Sequence, residues 1–375
     1  MLKPLSDVVH LQRGFDLPHH ARREGHHPVL TSGETGGFHD EGPIVGPGLT
    51  VGRATNLGKP KWSDVDFWPH NTTMFVKDFF GNEPRWVFHL FENTDLAGYD
   101  SGSVQPMLNR NYIAKVPVAV PPRQEQRAIA EVLRALDDKI SANTKLVDLL
   151  GENLAVTFTA IAGDLVGSVP FSALATVTKG VSYRSVDLVE STTALVTLKS
   201  FDRNGGYSAR GLKGYAGAYK LVQRIHPGEL VVAQTDLTQA AEVVGRAMRV
   251  PSSSRHDTLV ASLDLAIVRP VAGVPQEFLL GVMLQGRFRE HCRSRTSGTT
   301  VLHLASDALP TFMAPNVSPE VQQRYASVAS PMLEMGDSVT RESESLAALR
   351  DTLLPQLMSG KLRVKDAEET LEGAL

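Results

Sequence analysis

The 375-residue chain has a single cysteine, Cys292, and so cannot close an internal disulfide. Its first residues, MLKPLSDVVH, lack the basic-then-apolar order of a secretion leader, and together these two absences predict a reducing, cytoplasmic setting. Long apolar runs are missing too. The best, Phe278 to Leu284, falls far short of the ~20 residues a membrane span requires, so no membrane partner is expected. Nor is there a large net charge, since 38 basic and 41 acidic residues leave −3. Catalytic signatures are scarce in the same way. There is no GxSxG elbow, Walker loop, GxGxxG, HExxH or cysteine pair, which predicts no catalytic residue and no metal site of the chain's own.

The residues that tempt a catalytic reading are weak on inspection. His19, His20, His26 and His27 cluster without metal-ligand spacing and read as a solvated loop. Cys292 lies among Arg289, His291, Arg293 and Arg295, a setting able to activate a thiol, yet no motif surrounds it and a buried cysteine is the plainer reading. Ser32 to Gly37 is a turn, or a loop on a binding face. The Asn- or Asp-Pro-Pro-aromatic tetrapeptide of an amino-methylating DNA enzyme is absent, because Pro121-Pro122 stands between Val120 and Arg123.

What the chain does have is internal repetition. Pro4-Leu5-Ser6 and Gly14 recur as Pro170-Phe171-Ser172 and Gly180. Pro47-Gly48 and Val51 recur as Pro227-Gly228 and Val231, and Ser101-Gly102 with Pro117 as Ser297-Gly298 with Pro310. Each match alone is noise; in the same order, they predict duplication of one unit.

Each copy ends in a long helical pattern. After Pro121-Pro122, suited to a helix start, Ile129, Leu133, Leu136, Ile140, Asn143, Val147, Leu150 and Leu154 alternate spacings of four and three. After Ser318-Pro319, Val321, Tyr325, Val328, Met332, Met335, Val339, Glu342, Leu346, Leu349 and Leu353 do likewise. A sustained 3.5-residue repeat predicts two helices wound on each other rather than each lying on its own domain. Such helices, ~37 residues each, would be about 55 Å long. Gly151 weakens the first, and Pro331 should kink or restart the second. Asn143 and Glu342 hold equivalent polar positions that would set register.

The fold class predicted is α+β: two mixed α/β domains, residues 1–120 and 165–317, separated by spacer helices over 121–164 and 318–364, with an acidic tail at 365–375. Leu49 to Gly52, Arg85 to Phe88, Glu229 to Ala233 and Asp264 to Val268 read as strands, and Gln276 to His291 as a helix. Charge is uneven. Residues 1–120 carry 11 basic and 13 acidic side chains, and residues 165–317 carry 16 and 11. The second domain is therefore locally basic, a pointer to a polyanion.

Loops rich in Arg, Lys, Asn, Gln and Thr are the candidate contacts, because these residues meet phosphates and base edges. In the first domain they bring Arg53, Lys59, Lys61, Asn71, Thr72, Thr73, Asn109, Arg110 and Asn111. In the second they bring Lys199, Arg203, Gln234, Thr235, Asp236, Thr238, Gln239, Arg293, Arg295 and Thr299.

At this point a family becomes recognisable. Pro121 to Arg127 (PPRQEQR), followed by Ile129, Leu133, Leu136-Asp137 and Lys139-Ile140, resembles the helical spacer of the specificity (S) subunits of type I restriction-modification systems. Leu349 to Leu362 (LRDTLLPQLMSGKL) is similar to the end of that family's second spacer, and Pro331 falls where the family often has proline. Thr31 to Gly37 (TSGETGG), Gly46 to Arg53 (GPGLTVGR), Trp68 to Thr73 (WPHNTT) and Ser101 to Asn111 (SGSVQPMLNRN) are similar to its target recognition domains. The tail after Val364 lies outside the resemblance and is expected to fray.

The resemblance implies a non-catalytic adaptor, a DNA sequence-specificity subunit of an adenine methyltransferase complex. Two target recognition domains would read the halves of a bipartite double-stranded site, and an antiparallel coiled coil would space them with pseudo-twofold symmetry. It implies two modification subunits that dock on the spacer helices and carry S-adenosylmethionine, and a helicase-nuclease subunit, the user of Mg and ATP, that joins for cleavage. The chain itself would hold no cofactor. Gln126, Arg127, Arg134 and Arg350 are candidate docking points. The competing readings are a coiled-coil scaffold that binds only protein and a stand-alone hydrolase or methylase fragment.

Overall fold

The computed structural model describes residues 2–33, 36–96, 98–99, 107–163, 169–201 and 206–372. The chain divides into two compact units: Met1–Lys139 with Leu346–Leu375, and Ile140–Ser345.

The first unit is built on a four-stranded antiparallel sheet. Its strands are β1 (His10–Arg13), β2 (Gly48–Gly52), β3 (Pro60–Ser63) and β4 (Thr73–Asp78), in the order β1-β4-β2-β3. Beside it His27–Leu30 runs parallel to Trp68–Pro69. Arg85 to Phe88, read above as a strand, belongs to a helix, α1 (Pro84–Asn93). Four bulky residues in a row suggest an extended segment; Pro84 at the helix start and the burial of Trp86, Val87, Leu90 and Phe91 on one face explain the helix. The first long helix, α2 (Arg123–Ala162), begins in this unit.

The second unit repeats that frame with β5 (Ala175–Lys179), β6 (Leu230–Ala233), β7 (Ala247–Arg249) and β8 (Leu265–Pro270), ordered β5-β8-β6-β7. Thr193–Val196 runs parallel to Thr258–Ala261, the counterpart of the parallel pair in the first unit. The single helix expected over Gln276 to His291 is two, α3 (Gln276–Met283) and α4 (Gly286–Ser294), interrupted at Leu284 and Gln285. The core of this unit gathers Phe158, Phe171, Phe278, Phe288, Phe312 and Tyr325.

The duplication is visible bond by bond. Gly14 N–H donates to Thr73 O and Gly180 N–H to Leu265 O, both at 3.0 Å. Phe15 N–H donates to Pro69 O and Val181 N–H to Ala261 O, both at 2.8 Å. Arg53 N–H bonds Thr72 O as Gln234 N–H bonds Asp264 O, and Leu108 N–H bonds Arg53 O as Leu304 N–H bonds Gln234 O. A Cβ at Gly14 would lie 2.2 Å from His70 O, and one at Gly180 would lie 2.0 Å from Ser262 O, so the two copies need the same bare backbone. These bonds correct the sequence matches in detail. Val51 corresponds to Val232 rather than Val231, and strand pairing aligns Pro117 with Met313 rather than Pro310. Ser101-Gly102 lies outside the described residues.

The second long helix, α5 (Pro319–Met358), like α2 has 40 residues, about 60 Å at 1.5 Å per residue. Within the first unit Arg350 meets Asp137 at 2.9 Å; within the second, Asn143 meets Glu342 at 2.7 Å and Tyr325 Oη donates to Leu154 O at 3.1 Å. Numbers falling on α5 as they rise on α2 make the pair antiparallel in the second unit. On α2 the expected seam holds: Ile129, Leu133, Leu136 and Leu154 are buried, and Ile140, Val147 and Leu150 half-buried. On α5 it is corrected. Tyr325, Leu346 and Leu353 are buried and Met332 and Val339 half-buried, but Val328 is 39% and Met335 52% exposed. Ala329 and Gly336, one residue later, take their places, and a Cβ on Gly336 would reach Leu150 Cδ1 at 3.9 Å. Small residues let the helices approach closely, so the larger Val328 and Met335 turn outward.

Pro331 does not interrupt α5. Pro331 and Ser327 both face solvent, so the carbonyl that proline leaves unpaired stays open to water. The tail after Val364 is likewise helical. It forms α6 (Val364–Glu372), anchored by buried Ala367 in place of the fraying expected.

Candidate nucleic-acid interface

In the first unit the ends of β1, β2 and β4 converge with the segment Met107–Arg110 on a cleft of about 710 Å³. Arg13, Asp16, Arg53, Asn71, Asn109 and Arg110 line it. Arg53 is fixed there by its backbone, its N–H bonding Thr72 O and its carbonyl accepting Leu108 N–H, both at 2.9 Å. Its Nη1 donates to Asn71 O at 3.4 Å. Burial, and then the nearby charge of Arg13, hold the Arg53 guanidinium below its ordinary pKa. Asp16, the carboxylate of the cleft, accepts a close hydrogen bond from Asn71 Nδ2. Asn109 caps the short helix Arg110–Ile113 through a 2.9 Å bond from Asn111 N–H, which leaves the Arg110 and Asn111 side chains exposed.

Other candidates of the first unit serve its own loops. Lys61 Nζ donates to Gly33 O and Arg22 to Gly36 O, tying down the glycine-rich loop; burial lowers the Lys61 pKa. Thr72 Oγ1 accepts Ser32 N–H at 3.2 Å. Thr73, 1% exposed, donates to His70 O and is no DNA contact, because its place in β4 turns it inward. Lys59 is exposed.

In the second unit the loop after β6 is organised around Asp236. This buried carboxylate accepts hydrogen bonds from Thr238 N–H and Oγ1 (2.9 Å each), Val243 N–H (2.6 Å) and Val244 N–H (3.0 Å). Burial alone would raise its pKa, but these bonds outweigh burial and hold it below the usual carboxylate value. Asp236 is therefore a brace and not a base reader, and so is buried Thr235, whose hydroxyl bonds Asp264 at 2.9 Å. From α4, Arg293 donates to Ala240 O at 2.9 Å and Arg289 to Glu242 O at 2.7 Å. Gln239 bonds Thr299 O at 2.9 Å, and Arg295 meets Asp307 at 3.3 Å. Lys199, Thr238 and Thr299 are exposed, and Gln234 is half-buried. Arg203 lies outside the described residues.

Among the described residues no group of three or more His, Cys, Asp or Glu could hold a metal ion. Cys292 is buried, which pushes its thiol pKa up to about 12. Among the described residues no helix is long and apolar enough to cross a membrane. Gln126, offered above for docking, is buried: it accepts Glu83 N–H at the start of α1 and donates to Asn82 and Pro121 O. Arg350 is paired with Asp137 and Asp351, while Arg127 and Arg134 are exposed.

Sequence reasoning missed Arg13, Asp16 and Arg289. Arg13 had a signal, since it directly precedes the repeated Gly14.

Residues 1–150 match the family model described as the type I restriction modification DNA specificity domain. The whole chain is similar in fold to the S subunit of the type I restriction-modification system from M. genitalium, at 14% identity, with 95% of each chain covered and a TM-score of 0.56. The family match covers residues 1–150, and over the rest of the chain the likeness is one of fold. A second solved structure, the HsdS subunit from Thermoanaerobacter tengcongensis, matches at 13% identity over 96% of this chain and 97% of that one, with a TM-score of 0.34. None of the curated proteins matches this sequence. The polar loops of this chain rest on two copies of a single frame.

Proposed function

We propose that this chain is a type I DNA specificity subunit that reads a bipartite double-stranded target, one half with each unit, and that two modification subunits carrying S-adenosylmethionine dock on α2 and α5. A helicase-nuclease subunit using Mg and ATP completes the complex for cleavage, in the cytoplasm. The chain itself holds no cofactor.

The observation that carries the reading is one hydrogen-bonded frame, built twice, bearing unlike side chains. Arg13, Arg53 and Arg110 of the first copy correspond to Lys179, Gln234 and Ser306 of the second. Equal frames with unequal donors suit two half-sites of different sequence.

Mapping methylated adenines in cells with and without this chain tests it. A split motif with two unlike halves, lost when the chain is deleted, is the expected result. A gel-shift titration with and without the modification subunits addresses the scaffold alternative, and no sequence preference in either condition overturns the DNA reading.

A further inference from the structure

We propose that the first unit's cleft is a clamp for a phosphodiester of the DNA backbone, with Arg53 at its floor and Arg13 and Arg110 at its rim. This deepens the reading above and rests on it.

Three guanidinium groups face one cleft, and among the described residues none of them has a carboxylate in ion-pair reach. Asp16, held by Asn71, offsets one of the three charges, and among the described residues Arg53 and Arg110 bond only backbone carbonyls, at 3.4 and 3.5 Å, so the cleft keeps a net positive charge. Uncompensated positive charge at a recessed site is a cost that an anion relieves. Burial and the neighbouring Arg13 already depress the Arg53 pKa, the direction expected of a cation held without its counter-ion.

The shape decides between phosphate and base. Base edges lie recessed within the grooves and are reached by groups that protrude, whereas phosphates stand on the outside of the duplex. Arg53 does not protrude: it is half-buried, with its backbone bonded on both sides. The second unit has one cation, Lys179, at the three equivalent positions, so the clamp belongs to the first unit alone.

The test uses the full chain assembled with its modification subunits. Arg53→Gln and Arg53→Lys are titrated across a salt series against a duplex carrying the mapped target and an unrelated duplex. Arg53→Gln is expected to weaken binding to both by the same factor and to lower the slope of log affinity against log salt by about 0.9, the loss of one phosphate contact. The methylated motif stays unchanged, and Arg53→Lys keeps the slope. A motif relaxed at one base pair makes Arg53 a base reader and overturns the clamp, as does an unchanged slope in Arg53→Gln. A wild-type complex that writes no motif overturns the bipartite reading instead, and the slope of Arg53→Gln still decides the clamp.

Discussion

Asn143 Nδ2 donates to Glu342 Oε2 at 2.7 Å, joining the two long helices of the chain through their polar positions. A carboxylate bonded to an amide on the facing helix ties one register to one partner, since a shift of either helix breaks the bond. Asn143→Ala should cost about 1–2 kcal/mol in chemical denaturation, because Glu342, half-exposed, then loses this hydrogen bond. Replacing both by leucine should restore or exceed the original stability, and would separate register from strength.

The shared backbone crossing makes a paired prediction. Gly14→Ala and Gly180→Ala each force a Cβ to within 2.2 Å or less of a carbonyl oxygen in the neighbouring strand connection. Each should lower stability by about 1–3 kcal/mol. Comparable losses in the two variants, read from denaturation midpoints, would confirm that both copies rely on the same bare crossing. A silent substitution at either would break the equivalence.

The loop after β6 should be acid-labile. The folded-state pKa of Asp236 lies below its unfolded value, so its contribution is complete above about pH 4 and is lost as pH falls through the folded pKa. Asp236→Asn should cost about 1–3 kcal/mol at neutral pH, the worth of hydrogen bonds to a charged group. It should also flatten the acid limb of stability against pH. An acid limb as steep as that of the wild type would show that other carboxylates govern it.

The spacer should act as a ruler. Deleting Ile140–Leu146 together with Val339–Ser345 removes one heptad from each helix, about 10 Å of length. The gap tolerated between half-sites should shrink by about three base pairs, since a helical turn of about 10 base pairs spans 34–36 Å, with both half-site sequences unaltered. Mapping the methylated motif reads both quantities, and a change in the half-sites themselves would overturn the ruler.

Local periodicity made much of this molecule legible before any fold was seen. A four-three spacing sustained through five heptads has few meanings but a pair of helices, and repeated glycines and prolines betray a repeated backbone. What periodicity could not decide was which flank of the α5 stripe turns inward. Val328 and Met335 are the more apolar choice, but the close approach of α2 selects Ala329 and Gly336, a matter of distance between helices that one strand of text does not contain. The same holds for Arg85 to Phe88, where four bulky residues became a helix because only that conformation buries Trp86 and Leu90 together.

The candidate interface divides along the same line. The residue types that could meet DNA were legible from composition, but their roles were not. Asp236 is taken up by backbone N–H groups of its own loop, and Thr73 is turned inward by the pairing of β4, neither of which composition reveals. Arg13, Arg53 and Arg110 come from three separate segments and share a cleft only because the strands pair as they do. The −2 charge of the first domain conceals that cluster, since net charge sums over a surface while a binding site depends on where the charges converge. By itself the sequence determined two copies of one unit and two long helices, because repeats and periods are properties of the chain. Tertiary structure alone decided which side chains face each other across a cleft, because that depends on strand pairing between segments distant in sequence.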